Sequence, residues 1–264
     1  MLKKFALLAS LTVLAACSTV PITGRRQLSL VSDAEINTLA AQQYREVIAK
    51  GPLSNNSQQV NLVRNVGRRI QAAVDTYFRQ QNASDQLAGY QWEFNVIQDD
   101  KQQNAWAMPG GKVAVYTGIL PITQDENGLA VVMAHEVAHA VAKHGSERMS
   151  QGLIQQLGGQ ALSAALSTNA PATQQLALQA FGVGSQLGML RYGRNQESEA
   201  DHLGLIFMAL AGYNPEGAIA FWQRMEANGG ASPPEFLSTH PSSGTRIADI
   251  QRELPQARKY YKPR

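Results

Sequence analysis

The chain has 264 residues, 44% of them hydrophobic and 16% charged, with a formal net charge of +3. That size and balance fit one folded domain with a sizeable core and at most a small appendage. Lys and Arg are scattered, with a mild C-terminal cluster and no basic stripe interleaved with aromatics, so no nucleic-acid partner is expected. The single cysteine, Cys17, excludes an internal disulfide framework and any multi-cysteine metal site.

The first stretch, "MLKKFALLASLTVLAAC", has a basic start at Lys3 and Lys4, an apolar run from Phe5 to Ala16, and small residues before Cys17. It predicts a secretory signal over residues 1–16, too short to span a bilayer. "LAAC" resembles a bacterial lipobox, which implies cleavage before Cys17 and acylation of that residue. Each buried acyl methylene contributes about 0.8 kcal/mol to membrane anchoring. Ser18 after the cysteine is compatible with sorting to the outer membrane, so the expected location is the periplasm, lipid-anchored. Residues 17–31 contain Pro, Gly and two Arg without a helical period, and predict a tether lying against the domain. The domain itself is expected over 32–264.

Ser32 and Glu35 form a capping box in front of helically spaced apolar residues. A second helix is predicted over Ser57–Phe78, with Val60, Val63, Val66, Ile70 and Val74 as its core stripe. Between Tyr90 and Leu120 the period changes to two: "YQWEFNVIQ" and "KVAVYTGIL" predict strands, with "NAWAMPGG" leading into a Gly-rich turn, and hence a small antiparallel sheet. Thr123 and Glu126 predict a second capping box, opening the helix that contains "AHEVAH". Met149–Leu190 carries no charged residue. Its Gln and Ser argue against a membrane span, and Pro171 divides two helices, which reads as a helical hairpin packed on the domain or as a flap or surface touching lipid or unfolded substrate.

Three of the five histidines lie within "VVMAHEVAHAVAKH". His135 and His139 are four apart, which on a helix places both rings on one face at the spacing that holds one metal ion. In such H-E-x-x-H sites the ion acidifies a water molecule and the Glu, here Glu136, takes the proton. A catalytic zinc needs a third protein ligand and one open position. "RNQESEADHLG" supplies carboxylates on a second predicted helix, where Glu197 and Asp201 share a face and Glu199 points elsewhere. That pattern suits a ligand Glu and an Asp that fixes a ligand imidazole, although an acidic helix start favoured by the dipole would look the same in isolation.

"HEVAH" followed by E-x-x-A-D at Glu197–Asp201 resembles metallopeptidase family forty-eight, the gluzincins related to the CAAX prenyl endopeptidase. "NAWAMPGGKVAVYTGIL" is similar to that family's edge-strand region, and "STHPSSGTRI" to its C-terminal histidine motif, so the resemblance covers about residues 32–250. It implies an α+β, mainly helical, zincin-like fold with a small antiparallel sheet beside the active-site helix. It also implies one Zn2+ per chain, with Glu197 and not Glu199 as third ligand. The spanning helices of the integral-membrane members are missing, so the chain resembles the periplasmic lipoprotein branch, and prenylated substrates are not expected.

Of the remaining histidines, His144 and His202 read as polar surface groups. Pro241 restricts His240 to a loop, which the resemblance places over the cleft, where it could bind zinc as a gate, contact substrate or merely cap structure. The expected function is zinc-dependent endopeptidase action on misfolded or misassembled envelope proteins. Substrate would pair in extended form with an edge strand at Asn104, Ala105, Trp106, Ala107 and Met108. The alternative is a zinc-stabilised chaperone or outer-membrane assembly factor with little proteolysis.

Overall fold

The computed structural model describes residues 17–20, 22–157, 180, 193–228, 235–240 and 244–263. The expected signal segment and most of the expected uncharged hairpin, Pro171 included, lie outside the described residues.

The N-terminal segment opens with a small hairpin in which β1 (Cys17–Thr19) pairs antiparallel with β2 (Arg26–Leu28). Val20, at the end of β1, is 1% exposed and belongs to the main core. The expected tether is therefore built into the domain wall. Helix α1 (Asp33–Lys50) starts with the capping box expected from Ser32 and Glu35: each backbone N–H is taken by the other's side chain. Helix α2 (Ser57–Gln80), capped by Asn56, buries Val63, Val66, Ile70 and Val74 completely, with Val60 at the margin.

Three strands follow, β3 (Glu93–Ile97), β4 (Ala105–Met108) and β5 (Lys112–Tyr116), in the order β3-β5-β4. β4 and β5 form the Gly-rich hairpin, whose turn needs Gly110 and Gly111 at φ +78° and +80°. The sheet is mixed and not wholly antiparallel as the sequence suggested, because β3 pairs parallel with β5. Residues between β3 and β4 cross the end of the sheet, so β3 adds to the far side of the hairpin. β5 thereby becomes the central strand, and all five of its residues are buried.

Helix α3 (Glu126–Val141) carries "HEVAH", and every residue from Gly128 to Val141 is buried. A helix that is apolar around its whole circumference belongs in the middle of a fold. α3 packs against α5 (Arg194–Leu210), α2, β4 and α6 (Gly217–Ala227). Its cap differs from the expected Thr123–Glu126 box. Thr123 ends a short helical turn, Leu120–Thr123, and its hydroxyl bonds back to Leu120 O. Gln124 then breaks the chain direction at φ +65°, which passes the cap to Asp125, whose carboxylate accepts from Gly128 N at 2.7 Å. Glu126 instead accepts from Arg69 and Tyr213.

Helix α4 (His144–Leu157) follows α3 after a tight turn, with Lys143 at φ +61°. α7 (Glu235–Thr239) and α8 (Arg246–Arg258) close the fold, with α8 on α5 and α6. The architecture is mainly helical with small sheets, as the resemblance implies. No described helix is long and apolar enough to cross a membrane.

Candidate metal centre

The site forms where α3 and α5 run closest. Gly204 of α5 faces the backbone of His135: a Cβ there would lie 3.2 Å from His135 Cα and N. Glycine removes that obstacle and lets the acidic turn of α5 reach the histidines of α3.

His135 and His139 point from the same face of α3, with their Nε2 atoms 3.0 Å apart. Glu197 Oε1 lies 3.4 Å from His139 Nε2, and His240 Nδ1 lies 3.3 Å from His135 Nε2 and 3.0 Å from Glu197 Oε1. His240 sits at the end of α7, where its N–H bonds to Phe236 O and the Phe236 ring stacks on the imidazole. The four donor atoms converge within 4.8 Å and all four residues are buried. Donors bound at zinc–ligand lengths near 2.0–2.1 Å in a tetrahedron are separated by about 3.3 Å. The donor set of three imidazoles and a carboxylate at these separations therefore fits Zn2+.

Glu136 is 1% exposed and follows His135 on the same turn. Its Oε1 lies 3.3 Å from His240 Nε2 without a hydrogen-bond partner in the structure. Burial pushes this carboxyl above its ordinary pKa, although His240 and His135 pull the other way. A buried carboxylate oxygen beside the donor cluster is a group that can take a proton.

The two imidazoles on α3 are each held from behind. Asp201 Oδ1 is 3.0 Å from His135 Nδ1, so a proton on Nδ1 leaves Nε2 as the donor toward the ion. Burial alone would lower the pKa of His135, but Asp201 and Glu197 outweigh it and raise it to about 9. His139 is supported differently. Its Nδ1 lies 2.8 Å from Nδ1 of His144, whose Nε2 lies 2.9 Å from Glu199 Oε2. His144, read from sequence as a surface group, is 0% exposed, because the turn at Lys143 swings it back under α3. Burial lowers the pKa of His139 and of His144, favouring the neutral rings a metal site needs. Glu199 stays ionised with its pKa brought down to about 2: burial opposes this, but bonds from His144, Thr23 and Arg25 prevail. His202, by contrast, is half-buried and bonds to Glu253 at 2.7 Å, away from the centre.

Arg246 is the residue that sequence reasoning passed over, although "STHPSSGTRI" contains it. Its side chain is 3% exposed, with Nη1 donating to Glu197 Oε2 at 3.0 Å and Nη2 to Asp201 Oδ1 at 2.7 Å. The guanidinium also lies 3.4 Å from the centre of the Trp222 ring. It neutralises the two acids of α5 and leaves Oε1 of Glu197 turned to the histidines. The only sequence signal was a lone arginine in an otherwise uncharged loop motif.

The five residues expected to receive substrate do lie at the sheet's edge, on β4 and just before it. All are buried, between 0% and 4% exposed. Asn104 spends its Oδ1 on Ala105 N, and Gln103 O accepts from Phe236 N, which ties α7 to the start of the strand.

The model of peptidase family M48 matches residues 65–254. The chain is 35% identical over 243 residues to the mitochondrial metalloendopeptidase OMA1 of Schizosaccharomyces pombe, covering 90% of this chain and 66% of that protein. It is 39% identical to the corresponding Saccharomyces cerevisiae protein over 66% of this chain and 50% of that one. It is 26% identical to the beta-barrel assembly-enhancing protease of Escherichia coli over 92% of this chain and 48% of that protein. The chain thus spans between about half and two thirds of the length of these relatives. With His135, Glu136, His139 and Glu197 in the arrangement described and a family match over most of its length, the chain belongs to peptidase family M48, a family of zinc metallopeptidases.

Proposed function

We propose that this protein is a zinc endopeptidase of the bacterial envelope, anchored through an acylated Cys17, which hydrolyses misfolded or misassembled envelope proteins. One observation carries the chemistry: a buried cluster of four donors from His135, His139, Glu197 and His240, with the Glu136 carboxylate beside it. His135, His139 and Glu197 would be the resident ligands, and Asp201 the residue that orients His135. When bound, zinc acidifies a water molecule and polarises the scissile carbonyl. Glu136, whose carboxylate lies beside the centre, takes the proton and delivers it to the leaving amine. Its burial and raised pKa suit that exchange.

The bacterial setting is supported by the signal-like first sixteen residues and Cys17, and by likeness to a protease named for β-barrel assembly. By that likeness, outer-membrane assembly intermediates are proposed among its clients and partners. An extended substrate would add to the edge of β4, pairing main chain with Asn104–Met108. Because those residues are buried, the strand must first be uncovered.

His240 fits the role of a gate. At 3.0–3.3 Å from Glu197 Oε1 and His135 Nε2 it fills the fourth corner, the position a catalytic zinc keeps open. Substrate would have to displace α7, which touches both His240 and the start of β4. The test is cleavage of an unfolded protein by purified wild type, Glu136→Gln and His240→Ala, with metal content measured in each. Glu136→Gln should keep about one zinc and lose cleavage. His240→Ala should keep zinc and cleave faster. Wild type without zinc or cleavage would defeat the peptidase reading, and a slower His240→Ala would defeat the gate. Cys17→Ser should abolish acyl labelling and membrane recovery.

A further inference from the structure

Where Nδ1 of His135 faces the carboxylate of Asp201, Nδ1 of the zinc ligand His139 faces another ring. Its partner is a second imidazole, His144, and only then the carboxylate of Glu199. The chain continues outward. Glu199 accepts from the hydroxyl of Thr23 and from Arg25 Nε at 2.5 Å, and Arg25 also bridges to Glu147 at 2.9 Å. Glu147 in turn accepts from Gln196 at 2.7 Å, one residue before the ligand Glu197. The N-terminal segment thus touches the support of His139 and the start of α5 together, across 174 residues of sequence.

We infer that Arg25, assisted by Thr23, is a positioning residue of the metal centre, and that the segment from Ile22 to Leu30 is a strap that keeps His139 aimed at the ion. The inference rests on the zinc-peptidase reading. Its physical basis is the fixed polarity of the relay. His139 must present an unprotonated Nε2, so its proton sits on Nδ1 and is donated to His144 Nδ1. His144 then carries its own proton on Nε2 and donates it to Glu199. A relay of two imidazoles has one more rotatable ring than a direct carboxylate–histidine pair, so its outer end must be held. Glu199 is that end, and the strap holds it with two donors from one turn. The strap is itself docked: Val20, just before it, is buried in the core, Gln27 is 4% exposed against Arg25, and Leu30 N donates to Ser150 Oγ at 3.0 Å. Arg25 lies eight positions after Cys17, so detaching the first strand of the domain would reach His139 through this relay.

The experiment uses the full mature chain with zinc affinity measured by chelator competition, the absorption spectrum of the Co2+-substituted protein, and kcat and KM on an unfolded protein. Arg25→Met keeps the aliphatic stem and removes the guanidinium; Arg25→Lys returns a charge that can reach one carboxylate. Loss of an outer support typically costs about 10- to 100-fold in metal affinity or activity. Arg25→Met should therefore weaken zinc about tenfold, shift the Co2+ spectrum and lower kcat with KM little changed, and Arg25→Lys should recover part of each. Thr23→Val, in an exposed turn where folding is not at stake, should show the same pattern more weakly. Zinc affinity and Co2+ spectrum equal to wild type in Arg25→Met would overturn the inference, as would equal losses in Met and Lys variants. Should Arg25→Met fail to fold, an unaltered Thr23→Val would overturn it. Wild type that binds no zinc would instead defeat the peptidase reading beneath it.

Discussion

Replacing Arg246 with Met removes the cation between Glu197 and Asp201 while keeping a flexible apolar stem against Trp222. In the structure the guanidinium is 3% exposed and makes two charged bonds, at 3.0 and 2.7 Å. Breaking a buried ion pair by deleting one partner costs about 3–5 kcal/mol, because the remaining charge stays desolvated. Asp201 is 11% exposed and takes some solvent, which argues for the lower end, but Glu197 is 6% exposed and cannot. In metal-free protein the expected loss is thus about 3–4 kcal/mol. At about 2–4 °C per kcal/mol for a chain of this size, that lowers the melting temperature by about 10 °C. With zinc bound, the ion supplies the positive charge that Glu197 lost, so the decrease should be about half as large. Thermal unfolding followed by circular dichroism, with and without saturating zinc, reads both numbers. A loss under about 1 kcal/mol, or one equal in the two forms, would refute the claim that Arg246 acts through the acids of the centre.

Asp201→Asn should fold, bind zinc about 10- to 100-fold more weakly and turn over more slowly, because the amide no longer fixes the His135 tautomer; equality with wild type in chelator competition would remove Asp201 from the site. Gly204→Ala places a methyl 3.2 Å from His135 Cα and N, so α5 must yield by a few tenths of an ångström. A cost of about 1–3 kcal/mol is expected, with a weaker zinc site, measured by melting and metal titration together. Trp106→Ala, at a side chain 1% exposed and edge-on to Tyr44, should cost about 3–5 kcal/mol in chemical denaturation and leave the donor geometry intact. Removing the metal with a chelator should lower the melting temperature of wild type, since an ion that binds only the folded chain stabilises it by mass action.

Much of this molecule is written in local periodicity, and that part is legible in the sequence. His135 and His139, four apart on a helix, share a face whatever surrounds them, and the same geometry puts Glu197 one turn from Asp201. Ser32 and Glu35 cap α1 through bonds three residues apart. Tertiary structure decided the rest, because those contacts join segments whose spacing carries no period. The pairing of Arg246 with Glu197 spans 49 residues and that of His144 with Glu199 spans 55. The parallel pairing of β3 with β5 follows from where the core admits a strand, which alternation within each strand cannot state. His144 looked exposed because five residues from His139 is off the ligand face of a continuous helix. The positive-φ turn at Lys143 ends that helix and returns the ring beneath it. His240 reaches Glu136 and Glu197 from the end of α7, which a main-chain bond from Phe236 ties to Gln103 just before β4. The sequence names the donors on α3 and α5, while the packing of α4, α7, α8 and the N-terminal segment around them determines what holds each donor in place.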